Sequence, residues 1–118
     1  MYNYTQLNIQ LPAHVSVKKD YKKENRKSNE DFYKSNMDII KEIYKRVTKD
    51  VHDYNDKQRV LDELGKQHDE LMLIVQSTMP YDLGGFYEDD ENPLTKEQWE
   101  EIMFNANILS AVMKEFLK

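Results

Sequence analysis

Apolar residues recur along this chain with two different periods, and the change of period divides it. From Thr5 to Val17, residues Leu7, Ile9, Leu11, Ala13, Val15 and Val17 share one parity, with mostly polar residues between them. A repeat of two predicts an extended, half-buried strand. Pro12 lies on the other parity and removes a ladder donor, so this strand is expected at a sheet edge or broken into a hairpin. A lone strand needs a mate. The candidates are Tyr81 to Tyr87, a second copy of the chain, or the sheet edge of a partner protein.

After Lys27 the period becomes helical. Ser28 is placed as an N-cap with Asp31 three positions on, which predicts a helix start. Tyr33, Met37, Ile40, Tyr44, Val47 and Val51 then follow in alternating steps of four and three, lining one face. His52-Asp53-Tyr54-Asn55-Asp56 favours a turn and a fresh N-cap. A second helix is predicted from about Lys57 to Thr78, with Leu61, Leu64, His68, Leu71 and Val75 on one stripe. Gly65 falls in its middle, at a cost of about 1 kcal/mol relative to Ala, where a neighbouring helix can approach closely. One unbroken helix from Asp31 to Thr78 is the alternative. Pro80 stops the helix and Gly84-Gly85 mark a loop.

The third helix has the strongest start signal. Thr95 and Gln98 form a capping box, and Leu94 is placed to staple onto Trp99. Trp99, Ile102, Ala106, Leu109, Met113 and Phe116 make one stripe, while Phe104, Ile108 and Val112 make another. No charged residue occurs between Ile102 and Met113. A helix apolar nearly all round must be covered nearly all round, and two helices with one strand are too little cover. Ile102, Phe104, Ile108, Leu109, Val112, Met113 and Phe116 are therefore candidate self-association residues, and a homo-oligomer or an obligate partner is expected.

These elements predict a mainly α protein with a three-helix core, built from separate helices or from a long helical hairpin plus a C-terminal helix. An N-terminal extended or β segment precedes the core. The boundaries are an extended segment 1–17, a basic connector 18–29 and a helical region 30–118. At 118 residues this is one domain.

Charge changes the picture because it is unevenly placed. The net charge is −5, yet residues 18–29 carry six basic and two acidic side chains, while residues 80–101 carry one basic and eight acidic. The chain thus combines a positive arm with a negative loop. It has no cysteine, which excludes disulfides and thiolate chemistry and fits a reducing compartment such as the cytoplasm. The longest apolar run, Leu71 to Val75, is far short of the roughly 20 residues of a membrane span, and no signal peptide is readable. Many Lys, Asn, Tyr and Ile residues beside only 3 Gly and 3 Pro point to a low-GC coding sequence, as in Gram-positive bacteria and their phages.

Candidate chemistry is thin. His14, His52 and His68 form no helical ligand pair, and His68 on its stripe reads as an interior histidine. Asp89 to Glu100 has an acid at each end of a twelve-residue span, as an EF-hand loop does. Leu94 stands where that loop needs Gly, however, and Pro93 takes a ligand position. Glu97-x-x-Glu100 faintly resembles the paired carboxylates of all-α nucleotide pyrophosphohydrolases, without the second E-x-x-D pair such a site needs. There is no G-x-S-x-G and no phosphate loop. No catalytic residue, cofactor or metal ligand is expected.

Two surfaces remain. Tyr81, Phe86, Tyr87, Glu88, Asp89, Asp90 and Glu91 combine aromatic anchors with acids, a pairing suited to a basic groove on a partner protein. Lys18, Lys19, Tyr21, Lys22, Lys23, Arg26 and Lys27 could track a phosphate backbone, with Tyr21 stacking on a base. The leading expectation is a non-enzymatic protein-binding module, an inhibitor or adaptor of the kind phages and mobile elements encode. The alternatives are a nucleic-acid-binding accessory protein that uses the basic arm, or an oligomeric assembly factor. The apolar strand is a second possible contact, by addition to a partner's sheet edge.

Overall fold

The computed structural model describes residues 19–85, 87, 88 and 91–118. The alternating segment 1–17 lies outside the described residues, as do Lys18, Phe86, Asp89 and Asp90. The architecture is mainly helical: α1 (Tyr21–Asn25), α2 (Asn29–Ser35), α3 (Met37–Val47), α4 (Tyr54–Ser77) and α5 (Lys96–Glu115), with a 3-10 turn at Tyr81–Leu83. The last helix is central, and α1, α3 and α4 all pack against it.

The caps expected at Ser28 and Thr95 form, and the new N-cap expected within 52–56 is Asp53, which starts the helix at Tyr54, three residues before the predicted Lys57. Ser28 Oγ accepts from Asp31 N–H, and Asp53 Oδ1 accepts from Asp56 N–H at 2.8 Å. Thr95 Oγ1 accepts from Gln98 N–H while Gln98 Oε1 accepts from Thr95 N–H, completing the capping box. Each cap satisfies donors that a helix start leaves unpaired. Because Asp53 starts a new helix after the turn at Thr48 to Asp50, α3 and α4 are separate.

Three expectations are corrected. The basic connector, for which no helix was expected, contains one, capped by Asp20 through Lys23 N–H and packed against α5. The described residues of the Tyr81 to Tyr87 segment form no strand. Gly84 adopts φ 91° and the chain curls, with a bridge between Pro80 and Tyr87. The first predicted helix breaks at Asn36 (φ −118°), whose amide side chain donates to Phe32 O at 2.9 Å and so competes with the helical ladder. Its buried face is Phe32, Asn36, Ile39 and Ile43, with Ile40. Of the predicted stripe only Ile40 is fully inside, whereas Tyr33, Met37, Tyr44, Val47 and Val51 are half-buried. The polar Asn36 occupies the inward face because it meets Glu24, a partner no period reveals.

In α4 the inward residues are Leu64, Gln67, Leu71 and Val75, and the neighbouring Leu61 and His68 are half-buried. Gly65 makes no unusually close approach: a Cβ there would meet Met113 Sδ at 3.9 Å, an ordinary contact. Gly65→Ala should therefore stabilise the protein by about 0.5–1 kcal/mol through helix propensity alone. Urea unfolding checks this, and a loss of stability would mean that α4 and α5 pack more tightly than the structure shows.

The seven proposed self-association residues are mostly core. Ile102, Phe104, Ile108, Leu109, Val112 and Phe116 are buried within the chain and Met113 is half-buried. The basic arm, folded as α1, supplies the cover that the sequence pattern assigned to a second copy. The burial argument for a homo-oligomer falls away with it.

Candidate functional site

Two polar clamps hold α1 in place. In the first, Glu24 is buried at 6% exposure. Its carboxylate accepts from Lys27 Nζ at 2.7 Å, Ser35 Oγ at 2.8 Å and Asn36 Nδ2 at 2.8 Å. Burial pushes this carboxyl up, but the hydrogen bonds from Lys27, Asn36 and Ser35 and the charge of Lys19 outweigh it, so Glu24 titrates below its ordinary value. In the second clamp, Arg26 donates both terminal nitrogens to Glu100, at 3.2 Å to Oε1 and 2.8 Å to Oε2. Asn25 Nδ2 donates to Glu100 O and Oε1, and Asn107 Nδ2 donates to Asn25 Oδ1. The planar fork of Arg matches a carboxylate in this way.

These clamps decide what the basic arm can do. Arg26 and Lys27 are engaged in ion pairs, and Lys19 Nζ donates to Ser35 O at 3.2 Å. Tyr21 lies against Phe104, with ring centroids 4.9 Å apart. Burial raises its hydroxyl pKa, and the charge of Glu101 raises it further. Lys22 and Lys23 are exposed. Of the six described arm residues proposed for nucleic-acid contact, four are therefore used in holding α1 to the rest of the chain.

The α4–α5 loop presents its side chains differently. Leu83 N–H and Gly85 N–H both donate to Pro80 O at 3.0 Å, and Tyr81 N–H donates to Tyr87 O at 2.8 Å. Asn92 ties the far end: its Nδ2 donates to Thr78 O at 2.8 Å, while its Oδ1 accepts from Leu94 N–H at 3.0 Å. On this tied frame Tyr81 is 66% exposed and Leu83 40%. Tyr87 is half-buried, and Glu88 and Glu91 are exposed. Gly85 is required by space, since a Cβ would fall 1.9 Å from Met79 O. Gly85→Ala should cost about 1–2 kcal/mol as the turn opens, with chemical-shift changes confined to residues 79–94. Changes spread through α5 would contradict that local origin.

A cleft of about 360 Å³ lies between α1, this turn and the start of α5, with Tyr21, Pro80, Leu83 and Trp99 as its apolar walls. Trp99 is fixed by its Nε1–H donating to Val75 O at 3.0 Å. Lys19, Lys22 and Arg26 of the arm thus line one depression with Asp82, Glu97 and Glu100, far from them in sequence. Compared with protein-family models, curated proteins and solved structures, the chain matches none. Among the described residues no group of three or more His, Asp or Glu is placed to hold a metal ion, and no helix is long and apolar enough to cross a membrane. Leu83, Trp99 and Lys96 of the cleft were not singled out as site residues from sequence, because only folding brings them beside α1. Asn92 carried a usable signal, since Asn before Pro favours a side-chain-bonded turn.

Proposed function

We propose that the protein is a non-enzymatic binding module, an inhibitor or adaptor, whose contact surface is the Tyr81–Glu91 loop with the adjoining start of α5. The observation that carries this reading is the exposure of Tyr81 and Leu83 on a turn tied down by backbone hydrogen bonds. A backbone already fixed beneath exposed large side chains reduces the ordering cost of binding, and exposed aromatic residues of this kind serve as interface anchors. Asp82, Glu88, Glu91 and Glu97 are exposed on the same loop and the adjoining start of α5 and would steer a basic partner surface into place. Composition favours a phage or mobile-element inhibitor acting in the cytoplasm as the form this module takes.

The test is a tagged pull-down from a low-GC bacterial lysate, with and without nuclease, comparing the wild type with Tyr81→Asp. One dominant protein retained after nuclease treatment and reduced about tenfold or more by Tyr81→Asp is the expected result. Capture that disappears on nuclease treatment, and that Tyr81→Asp leaves unchanged, would transfer the function to Lys22 and Lys23 on α1.

A further inference from the structure

We infer that α1 is a releasable strap that masks the basic arm: it leaves α5 as a unit while α2–α5 stay folded, and only the released arm binds the phosphate backbone of a single-stranded nucleic acid. This surface is separate from the Tyr81–Glu91 loop, so the inference stands or falls independently of the binding role proposed above.

The way α1 is fastened sets it apart. Helices α2 to α5 each bury at least one apolar residue, whereas the buried residue of α1 is the carboxylate Glu24. Its other ties are Tyr21 on Phe104, Asn25 and Arg26 on Glu100, and Lys19 on Ser35 O. Taking charges out of water offsets much of what an ion pair gains. When the whole strap lifts, both partners of each pair return to water, so that small net contribution applies and not the penalty of orphaning one group. Five residues are also too few to persist as a helix once detached. The neighbouring elements keep their own ties. Residues 26–28 join α1 to α2, and α2 starts on its own atoms: Ser28 Oγ accepts from Asp31 N–H and Ser28 O accepts from Phe32 N–H. Phe104 keeps its contact with Phe32 at 5.6 Å when Tyr21 leaves. Opening α1 therefore costs less than unfolding the helices it covers.

The groups that close the strap are the ones a strand needs. Residues 19–27 carry Lys19, Lys22, Lys23, Arg26 and Lys27 against Asp20 and Glu24, a positive segment suited to phosphates. In the closed form Arg26 lies on Glu100, Lys19 on Ser35 O, Lys27 on Glu24 and Ser35, and Tyr21 on Phe104. Lys22 and Lys23 are exposed and give a strand its first foothold. Phosphates that take Arg26 from Glu100 loosen the strap, and a loosened strap presents Lys19 and the Tyr21 ring, on which a base stacks. Apparent affinity is thus lowered in proportion to the small fraction of molecules whose strap is open.

The experiment titrates the full isotope-labelled chain with a short oligothymidylate at low salt, following affinity and NMR shifts together. Glu100→Gln removes the Arg26 fastening and should bind the strand about tenfold tighter than the wild type, with the α3 and α4 amides in place. Glu30→Gln removes the same charge from an exposed position close to the arm in sequence, where Glu30 pairs with Lys34 inside α2, and should change affinity less than about twofold. In the wild type, binding should shift the side-chain amides of Asn25 and Asn36, which report the two clamps. Equal effects of the two substitutions would overturn the strap, because lost negative charge would then explain both. Wild-type binding that leaves Asn25 and Asn36 unshifted would overturn it too, since the arm would be binding while closed. Loss of the α3 and α4 signals in Glu100→Gln would show that α1 does not open alone. Absence of binding to the wild type and to Glu100→Gln removes the arm as a nucleic-acid surface, and equal affinity for inorganic polyphosphate of the same length removes the strand as its ligand.

Discussion

Phe104→Ala is expected to lower the unfolding free energy by about 3–5 kcal/mol, the largest effect of any single substitution considered. Phe104 is 0% exposed and sits between two other rings, with Tyr21 at 4.9 Å and Phe32 at 5.6 Å. Truncation removes the hydrophobic contribution of the ring and leaves a cavity that α5 cannot close alone, because α1 and α2 approach it from separate directions. A domain is stable by only about 5–15 kcal/mol, so the variant should be marginal at room temperature. Urea unfolding gives the magnitude. A second readout is specific to the packing: Tyr21 owes its raised pKa first to burial and then to Glu101, so in the variant its ultraviolet titration should move back toward the ordinary tyrosine value. A loss under about 1 kcal/mol with an unmoved Tyr21 titration would show that this ring does not hold α1 to α5.

Glu24→Ala should cost about 3 kcal/mol, because it leaves Asn36 Nδ2 and Ser35 Oγ without their shared acceptor and Lys27 without its counter-charge. The figure stays at the lower end of the range for buried pairs because Lys27, at 26% side-chain exposure, regains water. The pH dependence follows from the direction of the Glu24 shift. Its folded carboxyl titrates below the ordinary value of 4.5, so the stabilisation is complete above that pH and is lost as pH falls through the lower folded value. Glu24→Gln keeps the shape and removes the titration. Urea midpoints measured from neutral to acid pH should therefore fall more steeply for the wild type than for Glu24→Gln, with the two curves parallel near neutrality. Equal acid slopes would mean that Glu24 is not the carboxylate whose ionisation holds α1.

Both effects rest on contacts that the sequence of the basic arm does not display. Residues 18–29 have no apolar period and a high charge density, the usual marks of a solvated segment. Their fold comes instead from one aromatic contact, Tyr21 on Phe104, and from two carboxylates that meet Lys27 and Arg26. Glu24 and Glu100 looked like any other surface acids, since a buried ion pair is built from the same residue types as an exposed one. The loop was more legible: Pro80 and Gly84-Gly85 announced the helix end and a loop. Its 3-10 geometry was not foreseen, because it depends on Gly85 closing against Met79 and on Pro80 O accepting two N–H groups.

By itself the sequence determined the mainly helical class, the caps at Ser28 and Thr95, and a last helix apolar nearly all round. Each of these rests on residues within one or two helical turns of each other, or on an apolar surface too wide for any other position. The tertiary structure alone decided that α1 covers α5, which face of α3 turns inward, and that the basic arm and the acidic loop share a cleft. Those outcomes rest on pairs such as Asn36 with Glu24, 12 residues apart, and Arg26 with Glu100, 74 apart. A hydrogen bond between distant side chains leaves no period in the chain, so only the folded backbone can show where it forms.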